Sequence, residues 1–393
     1  MLIYMAPCGI GLGHAARTAA LARHLIKRGH KVVFSTYGDA VDFIRRKGYS
    51  ILIGHSLKYE VDEKGRLSLK NTIARGPKTL YNFSRQIGDE LYFMGVLEPD
   101  IVISDSRLST SISAIFWGIP SYLIINQLLI ILPLKFKKSY GKTAKSFFEK
   151  LLYNIMSKIW ERSEKIVVPD FPPPYTISQR NLILTEKYKK SIFIGPIVEV
   201  FPNEVEDRAN IRRKLNLSDK DKLILVNPSG TKSEKKAYIE MLIKLIRKSK
   251  FQNVFFIISK GDPSNNSPPI SIDENIKVYS WIENKFELLK ASDLIISHGG
   301  HTTIAEAMYY GVPMVLTPSS SHTERYNNAI SVEKMGIGRK IIWEEINMEI
   351  FRETIKEVLN NSIYRYNSKK IAEYCNEFKG INKIIDIIES SGE

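Results

Sequence analysis

The chain has 393 residues, 44% of them apolar and 25% charged, a balance typical of soluble globular proteins and a length that suits two domains. No apolar run reaches the roughly 18 residues that a membrane-spanning helix needs. The net charge of +15 favours an anionic partner, such as phosphate, nucleic acid or a lipid surface, without selecting one of them.

The first half of the sequence alternates β-rich runs with amphipathic helical patterns. This alternation predicts a parallel, doubly wound α/β sheet. The predicted strands are Leu2–Ala6, Lys31–Ser35, Tyr49–Ile53, Asp100–Ser104, Ser121–Ile125, Lys165–Val168 and Ser191–Ile194, and the predicted helices are Ala15–Arg28, Ala40–Lys47 and Ser109–Trp117.

The alternation starts again after a predicted linker, Gly195–Pro202. Strands are predicted at Leu223–Asn227, Val254–Ser259, Ile276–Tyr279, Leu294–Ser297 and Met314–Thr317, and helices at Lys235–Lys248, Phe286–Ala291, Thr302–Tyr309 and within Ile363–Ile388. We therefore expect two Rossmann-like domains facing a cleft. Residues 1–198 would form the N-terminal domain, 199–370 the C-terminal domain, and 371–393 a helix able to return to the N-terminal domain.

Cysteine usage and the N-terminus predict a reduced, cytoplasmic protein. Cys8 and Cys375 lie far apart and form no metal-ligand spacing, so structural zinc is not expected. The N-terminus has neither the basic start nor the long apolar run of a signal peptide.

A glycine-rich turn, Gly9-Ile10-Gly11-Leu12-Gly13-His14, joins the first predicted strand to the first predicted helix. It departs from the dinucleotide fingerprint because His14 replaces the third glycine and no acidic residue closes the next strand. An imidazole at this edge can accept a hydroxyl proton near neutral pH, which makes His14 a candidate base. The alternative is that His14 only caps the helix.

Asp105 follows the predicted strand Asp100–Ser104 and should lie at the same edge of the sheet. Its carboxylate could hydrogen-bond His14 and select the tautomer of the imidazole. The alternative is that Asp105 caps the next helix, a role that Ser106 and Ser109 also suit.

The densest constellation is Ser297-His298-Gly299-Gly300-His301-Thr302-Thr303, where a second strand meets a helix. Glycines and hydroxyls at a helix start suit a diphosphate. Glu306 lies one helical turn beyond Thr302, so its carboxylate could bind both hydroxyls of a ribose. The two histidines alone make a poor zinc site.

The polar loop after Met314–Thr317 contains Glu324, Arg325, Asn327 and Asn328. These side chains could hydrogen-bond sugar hydroxyls. The alternative is that they belong to a solvated loop without a ligand.

Taken together, these segments resemble the UDP-glycosyltransferase superfamily of GT-B fold. The run Val278–Gly338 is similar to the donor signature of that family, with a Trp-containing turn, the HGG helix, GVPMV and an acidic–polar pair before Asn328. Gly11–Arg17 is a second match. The sequence is similar to two branches of this superfamily. One is the small-molecule UDP-glycosyltransferases, and the other contains the transferases that add N-acetylglucosamine to lipid-linked sugars.

The resemblance implies a role for each matching position. It makes His14 the base that activates the acceptor, Asp105 the residue that orients it, and Gly11 and Gly13 part of the acceptor-side loop. Arg325 stands where the family often has Gln, so the resemblance does not settle the donor sugar. The implied donor-binding residues are Ser229, Gly230, Thr231, Trp281, Ile282, His298, Gly299, Gly300, Thr302, Thr303, Glu306, Glu324, Arg325 and Asn328.

The resemblance also implies the reaction. Members of the superfamily are usually inverting and need no bound metal. We therefore expect transfer of a hexose or N-acetylhexosamine from a nucleotide diphosphate donor, a UDP-sugar first, without a metal, a metal-carrying DxD motif or another cofactor. The rival interpretations are a nucleotide-sugar epimerase of the same fold, a soluble small-molecule glycosyltransferase and a non-catalytic partner subunit. A nucleic-acid partner is not expected, because no nucleic-acid-binding module is recognised.

The segment Leu128–Lys165 predicts an acceptor at a membrane, either a lipid or a lipid-linked sugar. It begins with the apolar run Leu128–Leu134, and apolar residues beside a lysine cluster are typical of proteins that dock on anionic bilayers. The alternative is a buried apolar run followed by solvated lysines. The aromatic residues that interleave the lysines are Phe136, Tyr140, Phe147 and Phe148, and the lysines are Lys135, Lys137, Lys138, Lys142, Lys145 and Lys150.

Overall fold

A computed structural model of the chain describes residues 1–57, 76–129, 131, 139–182 and 191–390. The chain forms two compact units. The first contains the N-terminal residues up to Glu199 together with the C-terminal stretch that starts at Lys379. The second runs from Val200 to Phe378.

The described residues of the first unit form a parallel sheet of seven strands in the order β3-β2-β1-β4-β5-β6-β7. Residues Ile3 to Pro7 of β1 are all buried, as expected for a central strand covered on both faces. The strands are β1 (Leu2–Pro7), β2 (Lys31–Thr36), β3 (Ile51–Ile53), β4 (Ile101–Asp105), β5 (Ser121–Ile124), β6 (Lys165–Val168) and β7 (Ser191–Phe193). The helices before the second unit are α1 (Gly13–Lys27), α2 (Asp39–Arg46), α3 (Gly76–Leu97), α4 (Leu108–Trp117) and α5 (Ser139–Trp160).

The second unit contains another sheet of seven strands within its described residues, in the order β10-β11-β9-β8-β12-β13-β14. Only the edge strand β10 runs antiparallel to its neighbour. The strands are β8 (Lys222–Val226), β9 (Val254–Ser259), β10 (Ile270–Asp273), β11 (Ile276–Tyr279), β12 (Leu294–Ser297), β13 (Met314–Leu316) and β14 (Gly338–Lys340). The helices are α6 (Arg208–Lys214), α7 (Lys232–Ser249), α8 (Lys285–Ala291), α9 (His301–Tyr309), α10 (Thr323–Lys334), α11 (Met348–Asn360) and α12 (Ser362–Cys375).

The predicted fold class, two doubly wound α/β domains, is confirmed. Each predicted strand is present, with ends that differ by at most two residues. The long helices α3 and α5 and the edge strand β10 were not predicted from the sequence. α5 buries few of its described side chains and β10 is largely exposed, so neither shows the buried apolar pattern of the predicted elements.

The predicted helical stretch Ile363–Ile388 is interrupted between α12 and a last helix, α13 (Gly380–Glu389). Gly380 packs closely on the chain, because a Cβ there would lie 2.7 Å from the carbonyl oxygens of Gly195 and Pro196. The helix α13 packs against α1, and Glu389 accepts a hydrogen bond of 2.5 Å from Arg28. The C-terminal helix is therefore part of the first unit.

Among the described residues, no helix is both long and apolar enough to cross a bilayer.

Candidate functional site

The register of the first sheet brings two predicted site residues together. β1 pairs with β4 so that Pro7 lies opposite Asp105, and the turn that follows β1 leads into α1 within a few residues. His14, on the first turn of α1, places its Nδ1 atom 2.7 Å from Oδ1 of Asp105. The His14 side chain is 28% exposed, whereas that of Asp105 is fully buried. Gly11 lies in this turn and Gly13 is the first residue of α1.

Neither predicted capping alternative is found. The N-cap residue of α1 is Leu12 and that of α4 is Arg107, and neither helix has a side-chain cap hydrogen bond. An ionised carboxylate only accepts hydrogen bonds, so Nδ1 of His14 carries the proton that it shares with Asp105. In the neutral ring, Nε2 then carries the lone pair that can accept a proton.

Arg17 is the third member of this cluster. It was not predicted as a site residue from the sequence. Its Nε donates to Oδ2 of Asp105 and its Nη2 to Oδ1, both at 2.5 Å. This two-point contact holds the carboxylate in one orientation toward His14. The sequence did contain a sign of this role, because Arg17 lies three residues after His14 and therefore on the same face of the predicted helix.

Burial alone would raise the pKa of Asp105, but the charges of Arg17 and His14 outweigh it and lower the pKa to about 2. Asp105 is therefore ionised throughout the neutral range. Its charge is compensated by Arg17 even when His14 is neutral.

We expect the pairing of Asp105 to stabilise the first unit in a pH-dependent way. Because the folded pKa is lowered from 3.8 to about 2, the stabilisation is present above the unfolded pKa and is lost as pH falls through the folded one. It amounts to about 2 kcal/mol. Urea unfolding at about pH 6 and about pH 2.5 should show a smaller pH effect in Asp105→Asn than in wild type. An equal pH effect in both proteins would contradict this assignment.

In the second unit, two loops meet at the carboxyl ends of β8 and β12. The two strands are neighbours, with Ile296 opposite Val226. Gly230 and Gly299 have φ values of +106° and +93°, a region in which other residues are strained. A Cβ on Gly300 would lie 3.0 Å from Oγ of Ser229. The N-termini of α7 and α9 start from these loops, so both helices direct backbone N–H groups to this region.

Two hydroxyl-bearing residues complete the loop after β8. The Oγ atom of Ser229 is buried and has no hydrogen-bond partner in the described part of the chain, as expected for a group that awaits a ligand. Thr231 is the N-cap of α7 and forms a capping box with Glu234. Thr302 and Thr303 lie on the first turn of α9, and Oγ1 of Thr303 accepts a bond of 3.5 Å from Asn227.

His298 lies between the two loops with its ring buried. Its Nδ1 accepts a hydrogen bond of 3.1 Å from the backbone N–H of Ser229, and its ring stacks on Trp343 at 5.2 Å. Burial, followed by the charges of Arg325 and His322, lowers the pKa of His298 well below its usual value. A neutral ring here links the loop after β8 to the turn after β12.

Glu306 lies on α9 as predicted and is only 4% exposed. Its Oε1 accepts a hydrogen bond of 2.7 Å from Nζ of Lys285, the first residue of α8. This partner was missed because Lys285 lies 21 positions earlier in the chain, beyond the range of helical spacing. Trp281 and the buried Ile282 lie in the turn between β11 and α8, close in sequence to Lys285.

The four residues predicted in a polar loop after β13 lie on a helix instead, α10 (Thr323–Lys334), so the prediction of a loop is wrong for them. Glu324 is half-buried, and Arg325 and Asn328 are buried. Nδ2 of Asn328 donates to the carbonyl oxygen of Gly299 at 3.2 Å, so it supports the backbone of the turn. Nη1 of Arg325 donates to Oε1 of Glu234 at 3.2 Å. The alternative of a solvated loop is therefore wrong for Arg325 and Asn328.

The expectation that the chain contains no DxD motif needs correction. Asp219-Lys220-Asp221 has that spacing, but it precedes β8, at the opposite end of the strand from the two glycine loops. Asp221 accepts hydrogen bonds of 2.7 Å from the N–H and the hydroxyl of Ser218, so it stabilises a local turn. The triplet therefore contributes nothing to the region of Gly230 and Gly299.

Comparisons with known proteins assign both halves of the chain to glycosyltransferases. The model of the glycosyltransferase family 28 C-terminal domain matches residues 228–385, and that of glycosyl transferase family 1 matches residues 1–187. A glycosyltransferase of Methanosarcina mazei is 28% identical, over 99% of this chain and 98% of its own.

Two solved structures share the fold. The glycotransferase of kitacinnamycin superposes with a TM-score of 0.69 at 18% identity, over 99% of this chain and 98% of its own. The spinosyn rhamnosyltransferase SpnG, complexed with thymidine diphosphate, superposes with a TM-score of 0.68 at 13% identity, over 99% and 100%.

The protein is thus an enzyme that transfers glycosyl groups. The two family matches, the full-length relative and the shared fold support the predicted resemblance to the UDP-glycosyltransferase superfamily of GT-B fold.

Proposed function

We propose that the protein is an inverting, metal-independent glycosyltransferase that uses a nucleoside diphosphate sugar and activates a hydroxyl acceptor with His14. The observation that carries this proposal is the hydrogen bond of 2.7 Å between Nδ1 of His14 and the buried Asp105. This bond leaves Nε2 of a partly exposed imidazole as the proton acceptor, at the edge where open α/β sheets bind ligands.

The proposed reaction is a single displacement. Nε2 of His14 accepts the proton of the acceptor hydroxyl, and the acceptor oxygen attacks C1 of the donor sugar. The bond between C1 and the diphosphate oxygen breaks, and the electron pair leaves with the diphosphate. Asp105 stabilises the imidazolium that forms. Backbone N–H groups at the starts of α7 and α9 stabilise the leaving charge.

The proposed sugar donor is a UDP-sugar. A nucleoside diphosphate is supported by the paired glycine loops at Gly230 and Gly299, by the buried hydroxyl of Ser229 and by the thymidine diphosphate bound in the structurally similar SpnG. We assign the ribose to Glu306 and the base to the turn that contains Trp281. Uracil is supported by the resemblance to the UDP-glycosyltransferases.

A donor panel tests the proposed function. Purified protein is incubated with individual nucleotide sugars, with and without a lipid extract, and release of the nucleoside diphosphate is measured. We expect release from one class of donor that increases with the acceptor. Conversion of the donor sugar to its epimer without any acceptor would instead establish the epimerase. No release from any donor would contradict the proposal.

We further propose that the acceptor is a membrane lipid or lipid-linked sugar at an anionic surface. The support comes from α5, on which Phe147 is 64% and Phe148 is 56% exposed. Further exposed apolar residues follow on the same helix, at Leu151, Leu152 and Ile155. The described side chains of α5 include four lysines, Lys142, Lys145, Lys150 and Lys158, but only one acidic residue, Glu149. Each lysine near an anionic bilayer contributes about 1 kcal/mol.

The apolar surface differs from the one predicted from the sequence. Leu128 packs in a core cluster with Leu123 and Trp160, so the prediction that the run Leu128–Leu134 faces lipid is wrong for its first residue. Leu129 and Ile131 are half-buried. Residues 130 and 132–138, with three of the predicted lysines and Phe136, lie outside the described residues.

Vesicle co-sedimentation tests the acceptor proposal. We expect the protein to bind vesicles that contain anionic lipid at low salt, and to release them at high salt. Phe147→Ser combined with Phe148→Ser should weaken binding, because both rings are exposed and can insert. The matched control is Tyr366→Ser, an aromatic residue of α12 that is 63% exposed. Binding that ignores lipid charge, or no binding, would favour a soluble acceptor.

A further inference from the structure

Arg325 occupies an unexpected place in the second unit. The resemblance led us to expect glutamine at this position. The side chain of Arg325 is only 10% exposed and extends from the first turn of α10 toward the loop after β8. A Cβ on Gly230 would lie 2.8 Å from Nη2 of Arg325. A Cβ on Gly299 would lie 2.8 Å from the carbonyl oxygen of the same residue. Arg325 therefore touches both glycine loops.

The surroundings of the guanidinium are suited to an anion. Two helices, α7 and α9, begin at these loops, and the hydroxyl of Ser229 between them is buried without a partner in the described part of the chain. That hydroxyl is a second and independent sign that a polar ligand belongs here, because a buried donor without a partner costs free energy.

Glu234 connects Arg325 to the N-terminus of α7. Glu234 accepts from Nη1 of Arg325 through Oε1 and from the backbone N–H of Thr231 through Oε2. The same carboxylate therefore orients the guanidinium and caps α7. Lys235, the next residue of α7, is only 4% exposed and donates to the carbonyl oxygen of Gly261. Arg325 and the N-termini of α7 and α9 thus bring positive charge and N–H donors to the two glycine loops.

We propose that Arg325 binds the diphosphate of the sugar donor and stabilises the charge of the leaving group, as a metal ion would, while Glu234 holds the guanidinium in position. This inference rests on the proposed function. When the bond between C1 and the diphosphate oxygen breaks, the leaving group gains one negative charge. Arg325 stays protonated throughout and transfers no proton.

The inference separates two roles that position 325 could have. A residue that contacts the donor sugar would change the choice of sugar but not the binding of a sugar-free nucleotide. A residue that contacts the outer phosphate would change the binding of a nucleoside diphosphate but not of the monophosphate. The two nucleotides differ only in the group that Arg325 is proposed to bind.

Calorimetric titration with UMP and UDP, without a sugar, tests the inference. We expect Arg325→Gln to bind UDP roughly 10- to 100-fold more weakly, the range for a charge-assisted hydrogen bond, and to bind UMP as wild type does. Arg325→Lys should recover part of the loss, because it keeps the charge but not the fork of donors. The matched control is Arg339→Gln, whose arginine pairs with Glu357 at 3.4 Å on the surface of the same unit, and it should bind both nucleotides normally.

Three results would overturn the inference. Equal losses for UMP and UDP would make Arg325 a purely structural residue. Unchanged binding of both nucleotides with an altered donor-sugar preference would make it a sugar contact. A folded wild-type protein that binds neither nucleotide would contradict this inference together with the proposed function. Since Arg325→Lys retains the ion pair with Glu234, it keeps the test valid if the glutamine variant does not fold.

Discussion

Replacement of His14 by alanine should leave a folded protein that binds nucleotide normally but transfers sugar at least ~10²-fold more slowly, the usual contribution of a general base. The imidazole is partly exposed, and alanine is compatible with the first turn of α1, so little stability should be lost. Asp105→Asn should lower the rate less, because it keeps the hydrogen-bonding shape but loses the charge that stabilises imidazolium.

The measurement is kcat with the preferred donor, together with nucleotide affinity by calorimetry. The matched control is His30→Ala. His30 also faces a carboxylate, with Nε2 at 3.3 Å from Glu389, but it precedes β2 and so lies at the opposite edge of the sheet. A His14 variant that turns over at nearly the wild-type rate would remove this residue from the mechanism.

Glu306→Ala should weaken nucleotide binding by roughly 1–3 kcal/mol, the scale of hydrogen bonds to a charged group. The carboxylate is buried and its Oε1 is bound to Lys285 at 2.7 Å, so it is held in one orientation before a ribose arrives. The variant would also lose the ion pair between Glu306 and Lys285, which lowers the stability of the fold. Glu306→Gln should show a smaller loss, because it can still accept and donate hydrogen bonds.

Calorimetry with UDP measures this effect, and a melting curve establishes that the variant is folded. The control is Glu333→Ala. Glu333 lies on α10 and forms a comparable ion pair of 3.0 Å with Lys340 of β14. Unchanged UDP affinity in a folded Glu306 variant would show that the ribose binds elsewhere.

The sequence allowed most of the fold to be predicted, because both sheets are built from buried, nearly continuous apolar strands. β4 and β8 are examples, each followed by a polar or glycine-rich turn. Such strands need no long-range information to be recognised. The long helix α5 was not predicted, although its exposed apolar residues Phe147, Leu151 and Ile155 recur at helical spacing. It buries few of its described side chains, so it lacks the buried pattern by which the strands were recognised.

The residues of the candidate site were predictable where they end or directly follow a strand, as Asp105 and Gly299 do, or begin the next helix, as His14 does. Their partners were not. Lys285 and Arg325 contact Glu306 and Glu234 over sequence separations of 21 and 91 residues. Local spacing carries no signal for such pairs. Two short-range pairs could have been found beforehand: the capping box between Thr231 and Glu234, and the pair of His14 and Arg17, three residues apart on α1.

The position of α13 has a consequence for how the protein is made. The first unit needs the last helix for its packing against α1 and for the bond between Arg28 and Glu389. A ribosome adds α13 only after every residue of the second unit. Since domains generally fold as units during synthesis, the second unit is the first to have its whole sequence available. The N-terminal unit is translated first but reaches its final packing last.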